Sequence, residues 1–502
     1  MNRIKSMRVY LSLLVIAVLM GCGTAHQSAD LGHLQTVKGG VVPAAPVAAD
    51  KPFELGYAAY GYGKYTEASA HFYRYLRTHS PDDPDYEWAR FFLGISVKRM
   101  GFSHAAVDIL SDLVRNKPNP KIVSYSLELL EEVSRSLPFD REKLIFQVLS
   151  DQSYGFVDQH LDDFVNYHQG IFDWQHGFIE WGNRHFESIA PGTYYFYQYH
   201  YQLALYRIYK NDPDGAIELL TRILGQTIDD TGFKDEVRQT LARLYYEVGQ
   251  FEAADQVYRE IETPVLNQAQ HLLERAWIHY RMGNPETAMG YLYAFRAPSF
   301  QNYFTPEYYI LKSFIYQSVC HYEKALAVIG EFDNYYADAL TAIHHRSDIK
   351  DNPALLRVII HQKQIKAAWD FLVLLEKERE QVAAISDPAL KRFLGRIYTL
   401  QLSKARTEFR KKMQDGYEKM ADDLLEYEEE SHLVSYEIGL DMVQRVKQYH
   451  YQEKDDGGDA RDANRLIAYP FQGEFWSYEL DDYHVTLVDK CQSAEEWDVF
   501  FK

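Results

Sequence analysis

Five histidines among carboxylates between residues 160 and 200 could support metal or acid–base chemistry. The histidines are His160, His168, His176, His185 and His200, and the acids are Asp162, Asp163, Asp173 and Glu180. Histidine and carboxylate together can bind zinc or transfer protons. Spacings of eight, eight, nine and fifteen residues, however, do not place two histidines one helical turn apart. We therefore interpret this segment as a packed aromatic helix pair with surface histidines.

Other catalytic motifs are missing from the sequence. It contains no G-x-S-x-G elbow, no H-E-x-x-H zinc motif and no phosphate-binding loop. The run Gly61-Tyr62-Gly63-Lys64 superficially resembles a phosphate cradle, but its spacing is wrong and it falls on a predicted turn. Asp455, Asp456 and Asp459 lack the ligand pattern of a calcium loop. The sequence therefore predicts a protein that is not an enzyme and binds no metal or cofactor.

The N-terminal segment carries the most specific signal. Arg3, Lys5 and Arg8 precede an apolar run from Val9 to Leu19, which is too short to span a bilayer and is typical of a cleavable signal. The run ends in Leu19-Met20-Gly21-Cys22, which resembles a bacterial lipobox. The resemblance implies cleavage after residue 21 and lipidation of Cys22. Gly23, in place of an aspartate, implies the outer membrane and a periplasm-facing chain.

Two further cysteines, Cys320 and Cys491, leave two alternatives open. In an oxidising periplasm they could form a disulfide, but the sequence cannot establish that they are close. The interpretation we favour from the sequence is two unpaired, partly buried thiols.

Composition limits the classes of partner. Hydrophobic residues make up 46% of the 502 residues, which is enough for a large core, and the formal net charge is −19. A chain with this much negative charge would repel nucleic acid and anionic lipid. We therefore expect no nucleic-acid partner. The 40 tyrosines suit half-buried positions, where the ring packs and the hydroxyl reaches water or a partner.

A repeated pattern begins after a tether at residues 22–52. In the segment from Asp85 to Pro118, Gly94 lies in one helical stretch, Gly101 in a turn and Ala106 in a second helix, which Pro118 is expected to stop. Small residues at Gly94 and Ala106 would let the helices approach, and Gly101 would supply the freedom of a tight turn. The same offsets recur at Gly56, Gly63, Ala68, Phe72; Gly170, Gly177, Gly182, Phe186; Ala204, Asn211, Ala216, Leu220; Ala242, Gly249, Ala254, Tyr258; Ala276, Gly283, Ala288, Leu292; and Ser313, Cys320, Ala325, Ile329.

This pattern resembles the tetratricopeptide repeat, a helix–turn–helix unit of 34 residues. Ala204 follows Gly170 by 34 residues, and Gly283 follows Gly249 by 34. The resemblance covers residues 53–335 and implies an all-α fold, a right-handed tetratricopeptide-type α-solenoid. Residues 121–150 are helical but degenerate and have room for one more helix pair.

The chain changes character beyond residue 335. For residues 336–452 we predict two long helices folded back on each other, either as a hairpin or as an atypical continuation of the solenoid. Asp387-Pro388 is typical of an N-cap followed by proline at the first helical position. Residues 453–502 are predicted to form a linker and a short aromatic tail, with one possible strand at Val485-Thr486-Leu487.

The resemblance also implies a binding surface, because the first helices of tetratricopeptide units line a groove that holds partner peptides. Projecting the family's groove positions onto this chain selects Tyr201, Gln239, Arg243, Tyr246, Leu273, Trp277, Tyr280, Phe314 and Gln317. Aromatic anchors with an arginine are typical of protein-binding surfaces. The alternative is a groove filled by the protein's own C-terminal helices or tail.

The function that follows is a scaffold for envelope proteins, held to the outer membrane by lipid on Cys22. Similar lipoproteins serve β-barrel assembly, pilus or secretin biogenesis, and secretion or motility machines. Two rivals remain: a surface glycan-binding lipoprotein of a polysaccharide-uptake system, and an envelope enzyme with a site in residues 340–502. Affinity for a soluble polysaccharide would favour the glycan-binding lipoprotein. A bound metal or hydrolase activity would favour the enzyme.

Overall fold

The computed structural model describes most of the chain beyond the predicted tether. Its described residues are 51–116, 119–138, 154–228, 230–262, 268–295, 304–345, 362–452 and 485–491, with Leu149, Ala297, Phe300, Ile359 and Tyr483. The predicted signal segment, Cys22, Pro118 and most of the predicted linker lie outside these residues.

The described residues form seventeen α-helices and no strand. The helices are α1 (Lys51–Gly61), α2 (Tyr65–Thr78), α3 (Tyr86–Arg99), α4 (Ser103–Arg115), α5 (Pro120–Ser136), α6 (Gln159–Gln175), α7 (Ile179–Glu187), α8 (Tyr194–Tyr209), α9 (Pro213–Leu224), α10 (Thr231–Glu247), α11 (Phe251–Arg259), α12 (Gln268–Arg281), α13 (Pro285–Ala294), α14 (Pro306–Ser318), α15 (Tyr322–His344), α16 (Lys363–Val382) and α17 (Pro388–Gln452). The predicted all-α class is confirmed. In the part that the structure describes, each helix is too short or too polar to cross a bilayer.

Each of the seven predicted hairpins closes through the same turn. The predicted turn residue has a positive φ in every one: Gly63, Gly101, Gly177, Asn211, Gly249, Gly283 and Cys320. The next residue donates its backbone N–H to a carbonyl five residues earlier, as Phe102 does to Val97 at 2.9 Å. This hydrogen bond is the Schellman helix end, which satisfies a carbonyl that the helix leaves free.

The two helices of a hairpin approach each other at the predicted small residues. A Cβ added at Gly94 would lie 2.8 Å from Leu110, and one at Gly170 would lie 2.5 Å from the Phe186 ring. Ala204, Ala242 and Ala276 occupy the corresponding positions and are fully buried. A larger side chain at any of these positions would force the helices apart, so the predicted spacing has a direct steric cause.

The chain divides into two compact units, each with its own core. The first comprises residues 1–237 and 366–411, and the second comprises residues 238–365 and 412–502. In the first unit, the apolar side chains of α16 and the start of α17 join one core with those of α1 to α8; among them are Leu375, Leu394 and Tyr398. In the second unit, a cluster of buried side chains joins α12, α13 and α14.

The C-terminal helices have the predicted type and the predicted cap. α17 is a single helix of 65 residues that begins at Pro388. Asp387 Oδ1 accepts the backbone N–H groups of Ala389 at 2.9 Å and Leu390 at 2.8 Å, which confirms the predicted N-cap. The predicted boundary at residue 335 lies inside α15, which continues to His344.

The tail segment 485–491 packs within the second unit, where Val485 and Leu487 contact the cluster of α12, α13 and α14. Cys491 forms a disulfide with Cys320, across a sequence separation of 171 residues, so the interpretation of two unpaired thiols was wrong. The predicted strand at Val485-Thr486-Leu487 was also wrong. This stretch is extended, but the Leu487 N–H donates to the Glu286 carboxylate at 3.0 Å rather than to another strand.

We expect Gly182→Ala to destabilise the first unit. Its methyl group would lie 2.4 Å from Trp174 Cδ1 and 2.8 Å from the backbone oxygen of Gly170. Overpacking of this kind costs about 1–3 kcal/mol. The measurement is the free energy of unfolding, from urea titrations followed by circular dichroism.

Gly395→Ala is the matched control in the same unit. It lies inside α17 with no neighbouring atom within 4 Å, so the substitution should stabilise the helix by about 0.5–1 kcal/mol. Equal effects of the two substitutions would contradict the steric origin of the pattern.

Candidate functional site

The predicted groove residues divide into accessible and inaccessible ones. Tyr201 and Leu273 each have 1% of their surface exposed, and the Tyr201 ring packs edge-on against Phe233 in the first unit. These two residues belong to the core, because their side chains point into packed hairpins rather than towards a partner. The other predicted groove residues lie in the second unit.

Arg243 and Gln239 take part in an internal network around Glu274. Arg243 Nε donates to Glu274 Oε1 at 3.0 Å, and the Arg243 Nη2 group donates to the same oxygen. Gln239 donates to Oε2 at 3.4 Å, and Tyr258 also donates its hydroxyl there. Burial alone would raise the pKa of Glu274, but Arg243 and the hydrogen bonds lower it below its ordinary value. Arg243 therefore neutralises a carboxylate of the next hairpin.

Three aromatic residues of the predicted groove lie together and are half-buried. The Trp277 ring lies 6.0 Å from Tyr280 and 6.3 Å from Phe314, and the Tyr280 and Phe314 rings are nearly parallel at 6.5 Å. Tyr246, on the preceding hairpin, packs edge-on against Phe251. We name Tyr246, Trp277, Tyr280 and Phe314 the aromatic surface. It is the part of the predicted site that the structure assembles.

Helix α17 contacts α14 and α15 within the second unit. Gln317 on α14 donates to Asp441 on α17 at 2.6 Å, and His344 at the end of α15 lies 2.9 Å from Glu428. Gln317, one of the predicted groove residues, is thus bound by the protein's own C-terminal helix, as the alternative of an occupied groove expects for this position.

Glu307 lies where α12, α14 and α17 meet. The pKa of the Glu307 carboxyl is raised to about 7. Burial is the largest cause, and the carboxylates of Glu274 and Glu430 act in the same direction. Interactions with Trp277 and Tyr427 act in the opposite direction. Glu274, Glu307 and Glu430 therefore lie close to one another. A proton on Glu307 removes one of their three negative charges and so reduces the repulsion between them.

In the first unit, a distant glutamate caps a hairpin helix. The Glu378 carboxylate, on α16, accepts the N–H of Ser103 at 3.0 Å and that of His104 at 3.1 Å, at the start of α4. Tyr398, on α17, donates its hydroxyl to Glu378 at 2.6 Å. These N–H groups are among those that a helix cannot satisfy internally, so α16 completes the second hairpin. This contact spans 275 residues, and no motif in the sequence marks it.

The histidine-rich segment shows packing and local hydrogen bonds. The His168 ring contacts Phe164 and Tyr167, and His185 Nδ1 lies 3.0 Å from Asn166 Oδ1. The Nδ1 atoms of His176 and His200 each lie 2.8 Å from a carbonyl oxygen one helical turn earlier. Among the residues that the structure describes, no three histidine, cysteine or acidic side chains form a metal-ligand group.

Together these features define a class: an all-α protein of tandem tetratricopeptide-type hairpins, completed in each unit by C-terminal helices. No protein-family model matches the chain, and no curated protein matches its sequence. A tetratricopeptide repeat protein from Parabacteroides merdae ATCC 43184 has a TM-score of 0.29 and 16% identity, over 48% of this chain and 90% of that one. For the tetratricopeptide domain of P58(IPK) the TM-score is 0.19 and the identity 15%, over 75% and 98%. Both structural similarities are weak, and the tetratricopeptide-type class follows from the geometry of the hairpins alone.

We expect Glu378→Ala to destabilise the first unit by about 2–4 kcal/mol, because it leaves buried N–H groups and the Tyr398 hydroxyl without their acceptor. Glu376→Ala is the matched control, two residues away on the same helix. Glu376 forms an exposed ion pair with Arg406, which is worth at most about 1 kcal/mol. Urea unfolding of both variants measures the difference, and similar losses would show that the capping contact contributes little.

Folding stability should fall as pH rises from about 4.5 to about 7. Over this range the folded protein holds the Glu307 proton more tightly than the unfolded chain, whose glutamate has its ordinary pKa of 4.5. The loss is at most about 3 kcal/mol. Glu307→Gln should flatten this part of the pH profile and stabilise the protein at pH 8. Urea unfolding at several pH values measures it.

Glu323→Gln, at an exposed glutamate of α15 in the same unit, is the control and should leave the wild-type slope in place. A Glu307→Gln variant that also retains that slope would show that another group titrates.

Proposed function

We propose that this chain is a lipoprotein of the outer membrane that faces the periplasm and holds envelope proteins together. The observation that carries the proposal is the series of seven hairpins with one shared turn and one shared packing rule. Repeats of this kind present similar helix faces side by side, which suits the binding of other proteins. Lipidation of Cys22 would concentrate that surface at the membrane.

The Cys320–Cys491 disulfide supports an exported location. Disulfides persist in oxidising compartments such as the periplasm and are rare in reducing ones. The four residues of the aromatic surface are the groove positions to which we assign partner contact. Assembly of β-barrels, pili or secretins, and secretion or motility machinery, are the settings in which such a scaffold would serve.

The lipid anchor is tested with Cys22→Ser in the protein's own envelope. The wild type should incorporate an alkyne-labelled fatty acid and sediment with the outer membrane, whereas the variant should lose both properties because it lacks the acylated thiol. Labelling that survives in Cys22→Ser, or a wild type that takes up no label, would overturn the anchor.

The scaffold role is tested by crosslinking in intact envelopes and mass spectrometry. Tyr280→Ala, on the aromatic surface, should reduce the crosslinks to the main partner at least several-fold. Tyr62→Ala, at an exposed turn of the first hairpin, is the control and should retain them. Equal crosslinking by both variants would place the partner elsewhere. Retardation by a soluble polysaccharide that is lost in Trp277→Ala would replace the scaffold with glycan binding.

A further inference from the structure

The tail segment packs on the second unit as an extended peptide. Every second side chain faces the protein: Tyr483, just before the segment, Val485 and Leu487 contact the cluster of α12, α13 and α14. The side chains between them, Thr486 and Val488, are exposed. This alternation is the two-residue period of an extended chain with one face covered.

The tail segment runs along α13 in the opposite direction to the helix. The rings of Tyr483 and Tyr293, in the last turn of α13, lie 5.8 Å apart. The Leu487 N–H donates to the carboxylate of Glu286, in the first turn of α13, at 3.0 Å. We name the covered side of α13, from Glu286 to Tyr293, the α13 face. It lies on the second helix of a hairpin, which carries no residue of the aromatic surface.

Beyond α13 the tail segment is held through its backbone. The Lys490 N–H donates to the carbonyl oxygen of Val319 at 3.1 Å, and Arg445 on α17 donates to the carbonyl oxygen of Cys491 at 2.8 Å. Contacts with main-chain groups depend little on the sequence of the bound segment. The same contacts would therefore suit another extended peptide.

The Cys320–Cys491 disulfide is the one covalent link between the tail segment and the hairpin of α14 and α15. Every residue of the segment is half-buried or exposed, so water competes for its other contacts. Ordering an extended segment also costs conformational entropy. The covalent bond offsets this cost, because it limits how far the segment can move away.

We infer that the tail segment is a redox-controlled strap. With the Cys320–Cys491 bond closed, it covers the α13 face. When a dithiol reduces the bond, the strap leaves this face, which then binds an extended peptide of a partner. The segment already bound there defines the chemistry of that peptide: apolar side chains at alternate positions, as at Val485 and Leu487, and a backbone N–H for Glu286.

The exchange begins at the sulfur of Cys491, because Cys491 is half-buried whereas Cys320 is only 5% exposed. One thiolate of the dithiol attacks this sulfur, the bond to Cys320 breaks, and Cys320 leaves as a thiolate that takes up a proton. The second thiolate of the dithiol then attacks its own sulfur in the mixed disulfide and releases Cys491, which is protonated in turn. Two electrons and two protons thus pass to the protein, and the dithiol is oxidised to its disulfide.

Hydrogen exchange followed by mass spectrometry tests whether the strap leaves. The protein carrying Cys22→Ser has only the two cysteines of this bond, so dithiothreitol acts at one place. Reduction should speed the exchange of the tail segment at least about tenfold, while α12 keeps its protection. Unchanged exchange of the segment, or a bond that dithiothreitol cannot reduce in the folded protein, would overturn the inference. Equal acceleration in α12 would also overturn it, because the bond would then stabilise the whole unit.

Peptide binding tests the α13 face. The probe is a fluorescent peptide of residues 483–491 with Cys491→Ser, which cannot form a disulfide. Fluorescence anisotropy should give a dissociation constant at least about tenfold lower for the reduced protein than for the oxidised one, whose strap competes within the same chain. The protein with Cys491→Ser should bind like the reduced protein, with or without dithiothreitol. Equal affinity of the oxidised and reduced proteins, or no affinity of the reduced protein, would overturn the inference.

Two glutamates locate the bound peptide. Glu286→Ala should weaken binding to the reduced protein several-fold, because it removes the acceptor of the Leu487 N–H. Glu252→Ala is the matched control, at an exposed glutamate in the first turn of α11, 34 residues earlier, and should leave the affinity unchanged. Equal losses in the two variants would contradict binding at the α13 face. Since these measurements use unlipidated protein, their failure would leave the lipid anchor untouched.

Discussion

The left-handed backbone at one position per hairpin is the constraint on which the rest of the fold depends. It reverses the chain within a few residues and lets the next N–H close the preceding helix end. The second helix must then return against the first, which brings residues 16 positions apart, such as Gly94 and Leu110, into contact. The small residue and the left-handed turn are therefore two consequences of one geometry.

Because this geometry is local, the sequence was sufficient to predict it. All the interactions that define a hairpin fall within a window of 34 residues. Asn211 and Cys320 are not glycines, but their positions in the repeat were sufficient to predict them as turn residues. The contacts that join distant segments leave no such trace. Nothing near Glu378 indicates that it caps a helix 275 residues earlier, and nothing near Cys491 indicates Cys320.

The candidate site was predicted less completely than the fold, for a related reason. A family groove position specifies which helix face a residue occupies, but not what lies opposite that face. Arg243 occupies a predicted groove position, yet its charge is matched by Glu274 of the next hairpin. Gln317 is matched by Asp441 of α17. Only the aromatic surface retains side chains whose ordinary role is contact rather than charge neutralisation.

The polar contacts of the C-terminal helices have a specific role that their apolar seams cannot fill. In the second unit, the buried row of α17 from Tyr417 to Ile438 has a period of seven residues and would pack nearly as well after a shift of seven, so burial alone does not fix the register of this part of the helix. Glu378 can accept the Ser103 and His104 N–H groups in one register only, and in the second unit Asp441 can reach Gln317 in one only. In each unit, apolar burial provides the stability and a few buried polar groups determine which alignment is adopted.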